Sequence, residues 1–493
     1  MAEQESENTS SLKERTAKGL LWAALNSGFM QLLNAVFGIV LMAVLEPKDY
    51  GMTAVLAIYS TIAAQLQDSG FVSALTNKQN PTHRDYNSVF WFNILTSAAI
   101  YIVLWFCAPM IAEYNNDERL IWLSRYAFLG FFLASFSIAP RAILFKQLKV
   151  REQTICGSVA LLVSGIVGIV MALCGFRYWS IATQPIVFVG LVSVLSWHFA
   201  RWKPSLNVSF QPIREMFSFS CKLLVTNIFN TVNKYALEAI LGRYYQKQEI
   251  GYYSQANKWN LMGSSVISEM VQRVAQPMFV QMGDDEERLK RAFRKMLCFT
   301  SFIAFPLMFG LSMVSGEFMA LFPDKWQPAV PFLRMLCIGG AFLPLTALYS
   351  NFIISRGKSG TYMWNTICQS VLIIANVFAV QYFKLEMFGM SGFRLMIFFY
   401  VMILAGWLLV WHYFVWKEIR LSFIRAFMDI LPYLATSVVV MVATRHLTSM
   451  IEDNILLLVS RILLAVILYI LLMLVIDRKT MKEYISFIAK KRH

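Results

Sequence analysis

Charge is scarce in this chain. Asp, Glu, Lys and Arg make up 15% of its 493 residues, against about 25% in soluble domains. With 57% hydrophobic residues and a mean hydropathy of +0.54, it lacks the polar surface of a soluble fold. Cysteine pairs are missing too. The seven cysteines lie within or at the ends of apolar runs and none forms CxxC, which excludes a disulfide framework and a zinc site; they read as small apolar packing residues. Histidine is rare, and His83, His198, His412, His446 and His493 each read as interfacial or tail residues. There is no G-x-x-x-x-G-K-[ST] phosphate loop, no H-E-x-x-H and no G-x-S-x-G, so neither ATP hydrolysis nor those hydrolytic centres are expected. Long outer loops are lacking as well. The longest, Glu317 to Trp326, leaves no room for the large extracellular catalytic domain of a membrane glycosyltransferase, ligase or polymerase. No cofactor, no metal and no catalytic residue is expected.

What the chain does have is fourteen hydrophobic runs, at 19–45, 50–75, 86–112, 119–143, 154–176, 178–200, 215–242, 249–279, 291–316, 327–355, 360–383, 389–416, 424–448 and 454–477. Each is long enough to span a bilayer as a helix. Of the 44 Lys and Arg, 28 fall in the tails or in, or within about five residues of, every second gap between runs, and the other gaps with their borders hold eight. Lys and Arg stay on the cytoplasmic side, so the alternation predicts an all-α integral membrane protein with about 14 helices and both termini inside. The expected organisation is a cytoplasmic tail over 1–18, a bundle of helices 1–6 over 19–200, a cytoplasmic linker over 201–214, a bundle of helices 7–12 over 215–416, two additional helices over 417–477 and a basic tail over 478–493. The start of the chain reads as a tail rather than a secretory signal. The net charge of +15 is distributed by membrane side, which accounts for it by topology and anionic lipid heads and argues against nucleic acid.

An internal repeat runs through the chain. Leu45 to Gly51 between runs 1 and 2 resembles Tyr245 to Gly251 between runs 7 and 8, and Leu123 to Ala127 resembles Phe332 to Leu336. Copies with the same sidedness imply a parallel repeat about an axis along the membrane normal.

The remaining eight Lys and Arg lie deeper within runs: Arg125, Lys222, Lys234, Lys258, Arg273, Arg334, Arg394 and Arg461. The well-embedded acids are Asp68, Glu238 and Glu269. A charge at mid-bilayer costs about 2.5–3.5 kcal/mol or more, so these groups should face a wet cavity or a partner. Asn227, Asn230, Lys234 and Glu238 share one helix face, as do Lys258, Glu269 and Arg273. Asn26, Gln31 and Asn34 give run 1 a polar face. Lys234–Glu238 and Glu269–Arg273 are also i,i+4 pairs able to neutralise each other. Lys222 and Arg394 lie near helix ends and Arg461 is placed to snorkel outward. The excess of embedded cations points to an anionic substrate such as a phosphate or pyrophosphate. The candidate anion-binding residues are Arg125, Lys234, Lys258, Arg273 and Arg334. Glu238, Glu269 and Asp68 are candidates for coupling to an ion, although Asp68-Ser69-Gly70 also fits a cap or turn. Asn26, Asn34, Asn227 and Asn230 are candidates for lining the cavity.

Leu45 to Gly51, Asp68-Ser69-Gly70-Phe71 and Phe90-Trp91-Phe92-Asn93 resemble the polysaccharide transporter family, as do the basic stretches Arg141 to Arg151 and Asp284 to Lys295 followed by Phe305-Pro306. These are the Wzx-type flippases of the multidrug/oligosaccharidyl-lipid/polysaccharide superfamily, and the chain looks closest to the colanic-acid-exporter-like branch. The resemblance implies two pseudo-symmetric bundles around a central cationic cavity. It implies flipping of an undecaprenyl-pyrophosphate-linked oligosaccharide across the bacterial cytoplasmic membrane by alternating access. It also implies a drive by an ion gradient, with H+ or Na+ as candidate coupling ion, or by the membrane potential, and other glycan-assembly membrane proteins are candidate partners. The alternatives are a multidrug or small-metabolite antiporter of the same superfamily, a membrane-embedded glycan polymerase or ligase, and a scaffold in a glycan-assembly complex.

Overall fold

A computed structural model describes residues 30–68, 81–147, 149–205, 211–282 and 285–476. The described residues are almost wholly helical. The helices are α1 (Met30–Val44), α2 (Pro47–Asp68), α3 (His83–Tyr114), α4 (Leu120–Ala127), α5 (Leu129–Ser135), α6 (Ile138–Lys146), α7 (Val150–Leu173), α8 (Tyr178–Ala200), α9 (Gln211–Tyr244), α10 (Lys247–Gln281), α11 (Glu286–Met313), α12 (Ser315–Met319), α13 (Val330–Gly340), α14 (Leu343–Ser355), α15 (Ser359–Phe383), α16 (Gly392–Ile419), α17 (Phe423–Leu447) and α18 (Asn454–Ile476). Between α15 and α16 a two-stranded hairpin pairs Glu386–Met387 with Met390–Ser391.

Helix boundaries follow local chemistry. Thr82 and Asp85 form a capping box at the start of α3, with the Thr82 amide donating to Asp85 Oδ2 at 2.8 Å. Asp285 caps α11 by accepting from the Arg288 amide at 3.0 Å, and Glu286 and Glu287 follow in the first turn. Two of the expected runs are broken. Run 119–143 becomes α4 to α6, with a bend of 43° before Ile138–Lys146. Pro140 stands in the first turn of α6, where it has no amide to continue the ladder. Run 327–355 opens as a 3-10 helix, Asp324–Ala329, and then divides into α13 and α14, each with proline in its first turn.

Nine described segments are long and apolar enough to cross a membrane, with Asp324–Ser355 taken as one, or ten with the bent pair Leu120–Ser135 and Ile138–Lys146 taken as one span. Among helices of that length, α2, α9 and α10 are left out by their polarity. Lipid-facing character is plain in α18, where Leu456, Leu463, Val466, Ile467 and Val475 are exposed and only Arg461, Tyr469 and Met473 are buried along one stripe.

The chain forms two compact units, residues 1–251 and 252–493. This division by packing falls one helix after the basic linker at 201–214 from which the repeat is counted. In the first unit, α9 packs along α2 and against α3, α7 packs against α8, and α8 also contacts α5 and α6. Its core joins Val55, Leu56, Leu120, Leu123, Phe128, Phe131 and Ile250. In the second unit, α11 packs against α17, α13 and α14, and α16 packs against α13, α14 and α15.

The repeat glycines meet each other. A Cβ on Gly51 would stand 1.6 Å from the Lys247 carbonyl oxygen, and a Cβ on Gly251 1.8 Å from the Pro47 carbonyl oxygen. Each glycine is four residues into its helix and touches the first residue of the other copy's helix. The first turns of α2 and α10 therefore cross backbone against backbone, and only glycine fits on either side.

A second fixed point ties α18 to the rest of its unit. Arg461 is 8% exposed, not snorkelled outward as its position suggested. Its Nη1 forms an ion pair with Glu317 and its Nε donates to Thr448 Oγ1 at 3.0 Å. The pair joins α12, the end of α17 and α18.

Two outcomes follow for stability. Gly51→Ala and Gly251→Ala should each destabilise the purified protein by about 1–3 kcal/mol or more. Gly190→Ala, which meets open space, should not, as thermal unfolding in detergent will show. Arg461→Met should cost about 3–5 kcal/mol by leaving Glu317 unpaired, and Arg461→Met with Glu317→Met should recover most of it.

Candidate functional site

The three polar long helices are those the repeat sets at the start of each half. On α9, Asn227 and Asn230 are half-buried, and Glu238 is 4% exposed with a partner nearby. The Lys234 side chain lies outside the described residues, as do those of Lys222, Arg273 and Asp68 and the whole of Asn26. Asn34 is exposed on α1. On α10, Glu269 is exposed and has an interaction partner.

Lys258 is the informative position on α10. Gln255, Ala256, Asn257, Trp259 and Asn260 around it are buried, yet Lys258 itself is exposed. Its ammonium has no hydrogen bond or ion pair among the described residues. The neighbouring polar face is used for packing: a Cβ on Gly340 would stand 2.0 Å from Asn260 Oδ1, so glycine lets α13 approach α10 closely. On α13, Arg334 is exposed and its side chain is unpaired among the described residues, while its carbonyl accepts from Ser312 Oγ at 2.9 Å. Arg394, at the start of α16, is likewise exposed and unpaired among them.

Arg125 is held differently. Its guanidinium lies 4.6 Å from the Trp105 ring centroid and 5.0 Å from that of Trp122, and its Nε donates to the Trp105 carbonyl at 3.4 Å. Trp122 is 62% exposed, so this clamp sits at the surface of the first unit. Cation–π contacts of this kind are worth about 0.5–2 kcal/mol and leave part of the guanidinium edge free.

Three features escaped sequence reasoning. His412 is buried rather than interfacial; its Nε2–H donates to the Leu421 carbonyl at 3.0 Å, so its Nδ1 accepts from the Tyr349 hydroxyl at 3.3 Å. Arg294 grips Asp429 with both nitrogens of one edge, at 2.7 and 2.8 Å. Lys247, counted above as an outer-loop cation, is 9% exposed and donates to the carbonyls of Gly242 and Asn115 at 2.9 and 3.0 Å. For Lys247 the repeat held a signal, because it occupies the place of Pro47 in the other copy.

Comparison with known proteins bears on the family and the fold. The family model described as polysaccharide biosynthesis protein matches residues 40–331. The chain is 24% identical to the lipopolysaccharide biosynthesis protein WzxC of Escherichia coli (strain K12) over 337 residues, 67% of this chain and 68% of that protein. It is 24% identical to the succinoglycan biosynthesis transport protein ExoT of Rhizobium meliloti (strain 1021) over 335 residues, 67% of each. The lipid II flippase MurJ in an inward closed conformation superposes with a TM-score of 0.74 at 15% identity, covering 94% of this chain and 100% of that one. That likeness is one of fold.

Exposure within a membrane protein means water or lipid, and the two are separable. With the native cysteines replaced, Lys258→Cys and Arg334→Cys should react with a water-soluble maleimide in open membranes. Leu463→Cys on the lipid face should react at least about tenfold more slowly, because the thiolate forms only where water reaches it. Equal rates would place Lys258 and Arg334 against lipid.

Proposed function

The chain belongs to the polysaccharide biosynthesis protein family, and on that basis we propose that it is a flippase for surface polysaccharide assembly. It is a multi-pass protein of the bacterial inner membrane. Its cargo is a lipid-linked oligosaccharide, and we assign the undecaprenyl-pyrophosphate form, moved by alternating access. The observation that carries the anionic head group is the set of embedded cations left exposed and unpaired among the described residues: Lys258, Arg334 and Arg394. A pyrophosphate entering the membrane loses hydration worth far more than any single contact. Fixed ammonium and guanidinium groups replace that hydration, Lys as a point charge and Arg as a planar fork. Lys234 and Arg273 remain candidates from the sequence alone, and Arg125 offers its free edge. Glu238 and Glu269 are the groups proposed to couple transport to H+ or Na+. Other glycan-assembly membrane proteins are the proposed partners.

Deleting the gene should remove surface polymer and leave the lipid-linked oligosaccharide in the inner leaflet. Complementation with Lys258→Gln or Arg334→Gln, at normal membrane levels, should restore export to about a tenth of wild type or less, since one charge-assisted contact is worth roughly a factor of ten. Lys258→Arg should restore more than Lys258→Gln. Full export by both neutral variants would overturn the assignment of these residues. Unchanged intermediates in the deletion strain would overturn the function.

A further inference from the structure

By the Lys and Arg bias, one end of the first unit faces outward. There the turn after α3, the turn between α9 and α10, and the start of α2 enclose a cavity of about 440 Å3. Eight Lys and Arg lie in the outer gaps of the sequence or at their borders, and four of them, Lys48, Arg119, Arg243 and Lys247, line this one cavity. Asp117 is the single carboxylate among its lining residues. On a face kept poor in positive charge this is a concentration that topology does not require.

We propose that this cavity is an outer anion site that takes a phosphate-bearing head group. The choice of ligand rests on the flippase reading; the site itself rests on its own geometry. The four cations divide into walls and donors. Lys247 is a wall: its ammonium is committed to the Gly242 carbonyl and to the carbonyl and side-chain oxygens of Asn115, the last at 3.4 Å. It ties the turn after α3 to the turn before α10 and leaves its positive field in the cavity. Burial pulls its pKa down to about 8 while Asp117 pulls it up, so a bound anion would favour its charged form. Arg119 gives one edge to Asp117, with Nε and Nη2 at 2.9 and 2.7 Å, and keeps Nη1. Arg243 lies 5.2 Å from the Tyr114 ring centroid and spends Nη1 on a long contact to the Tyr114 carbonyl, 3.4 Å. Lys48 is exposed and has no partner among the described residues. Free donors therefore come from Lys48, Arg119 and Arg243.

The ligand's phosphate has two sources, the head of the exported lipid or an outer-leaflet phospholipid, and one experiment separates them. Full-length protein is reconstituted right side out in phosphatidylcholine vesicles. An impermeant amine-reactive ester is added from outside, and the modification rate of Lys48 is read by mass spectrometry, with exposed Lys384 as internal control. Inorganic pyrophosphate is the probe. It should slow modification of Lys48 at least about fivefold and leave Lys384 unchanged. In Arg243→Gln the pyrophosphate concentration needed should rise about tenfold, and in Arg243→Lys it should rise less. If vesicles containing phosphatidylglycerol protect Lys48 without pyrophosphate, the site takes a phospholipid head; if protection needs pyrophosphate, it takes the head of the exported lipid. Lys48 modified equally fast under every condition, or unreactive from outside, overturns the site. Neither result touches the flippase reading, which stands or falls on the intermediates that accumulate in the deletion strain.

Discussion

A charge in hydrocarbon has to be paired, shielded or wetted, and that requirement organises this structure. Arg461 is paired with Glu317. Arg125 is shielded by Trp105 and Trp122. Lys258 and Arg334 are exposed and have neither arrangement among the described residues. The first two solutions use charge to hold helices together, and breaking them exposes an uncompensated ion. The third is stable only where water or a ligand can reach, so it is the one that bears on transport.

The polar helices create a second requirement. Helices carrying charged and amide side chains gain little from lipid contact, so they need another source of cohesion. The crossing of Gly51 with the Lys247 carbonyl, and of Gly251 with the Pro47 carbonyl, supplies it through backbone proximity, as small residues do between membrane helices. Lys247 then satisfies carbonyls left open at the end of α9 and in the turn after α3. A sequence repeat that looks like duplicated loop is thus the contact through which the two copies' first turns are locked together.

The helical segments and their polarity were legible because each depends on local composition. The runs at 86–112, 178–200 and 454–477 match α3, α8 and α18 closely. Breaks were legible only in part: the prolines are visible, but the bend before α6 also depends on Ser135 and Ser137 returning their hydroxyls to the carbonyls of Phe132 and Ala134. Pairing was not legible. Glu317 is 144 residues from Arg461, and Asp429 is 135 from Arg294; nothing local distinguishes those acids from others at helix ends. His412 misled for the same reason, since its burial comes from Tyr349 and Leu421 rather than from its neighbours in sequence.

The two sets of cations differ in how far they are already neutralised. Around the outer cavity, Arg119 gives one edge to Asp117 and Lys247 gives its protons to carbonyls. Much of their attraction for an anion is spent inside the protein, and the site also meets bulk water, where screening is strong. Lys258 and Arg334 keep their charge uncommitted among the described residues, in runs that the sequence reads as membrane-spanning. If both sets take the head group as proposed, it is held more firmly at the embedded cations, where it has lost most of its water, than at the outer cavity, where it regains it. That order suits export: replacement of hydration matters most inside, and release at the outer face requires a site weak enough to leave. A fully charged outer site would trap the head group at the last step. On this argument Asp117 limits outer affinity as much as Arg119 supplies it, and the pair sets a ceiling that a lone arginine there would exceed.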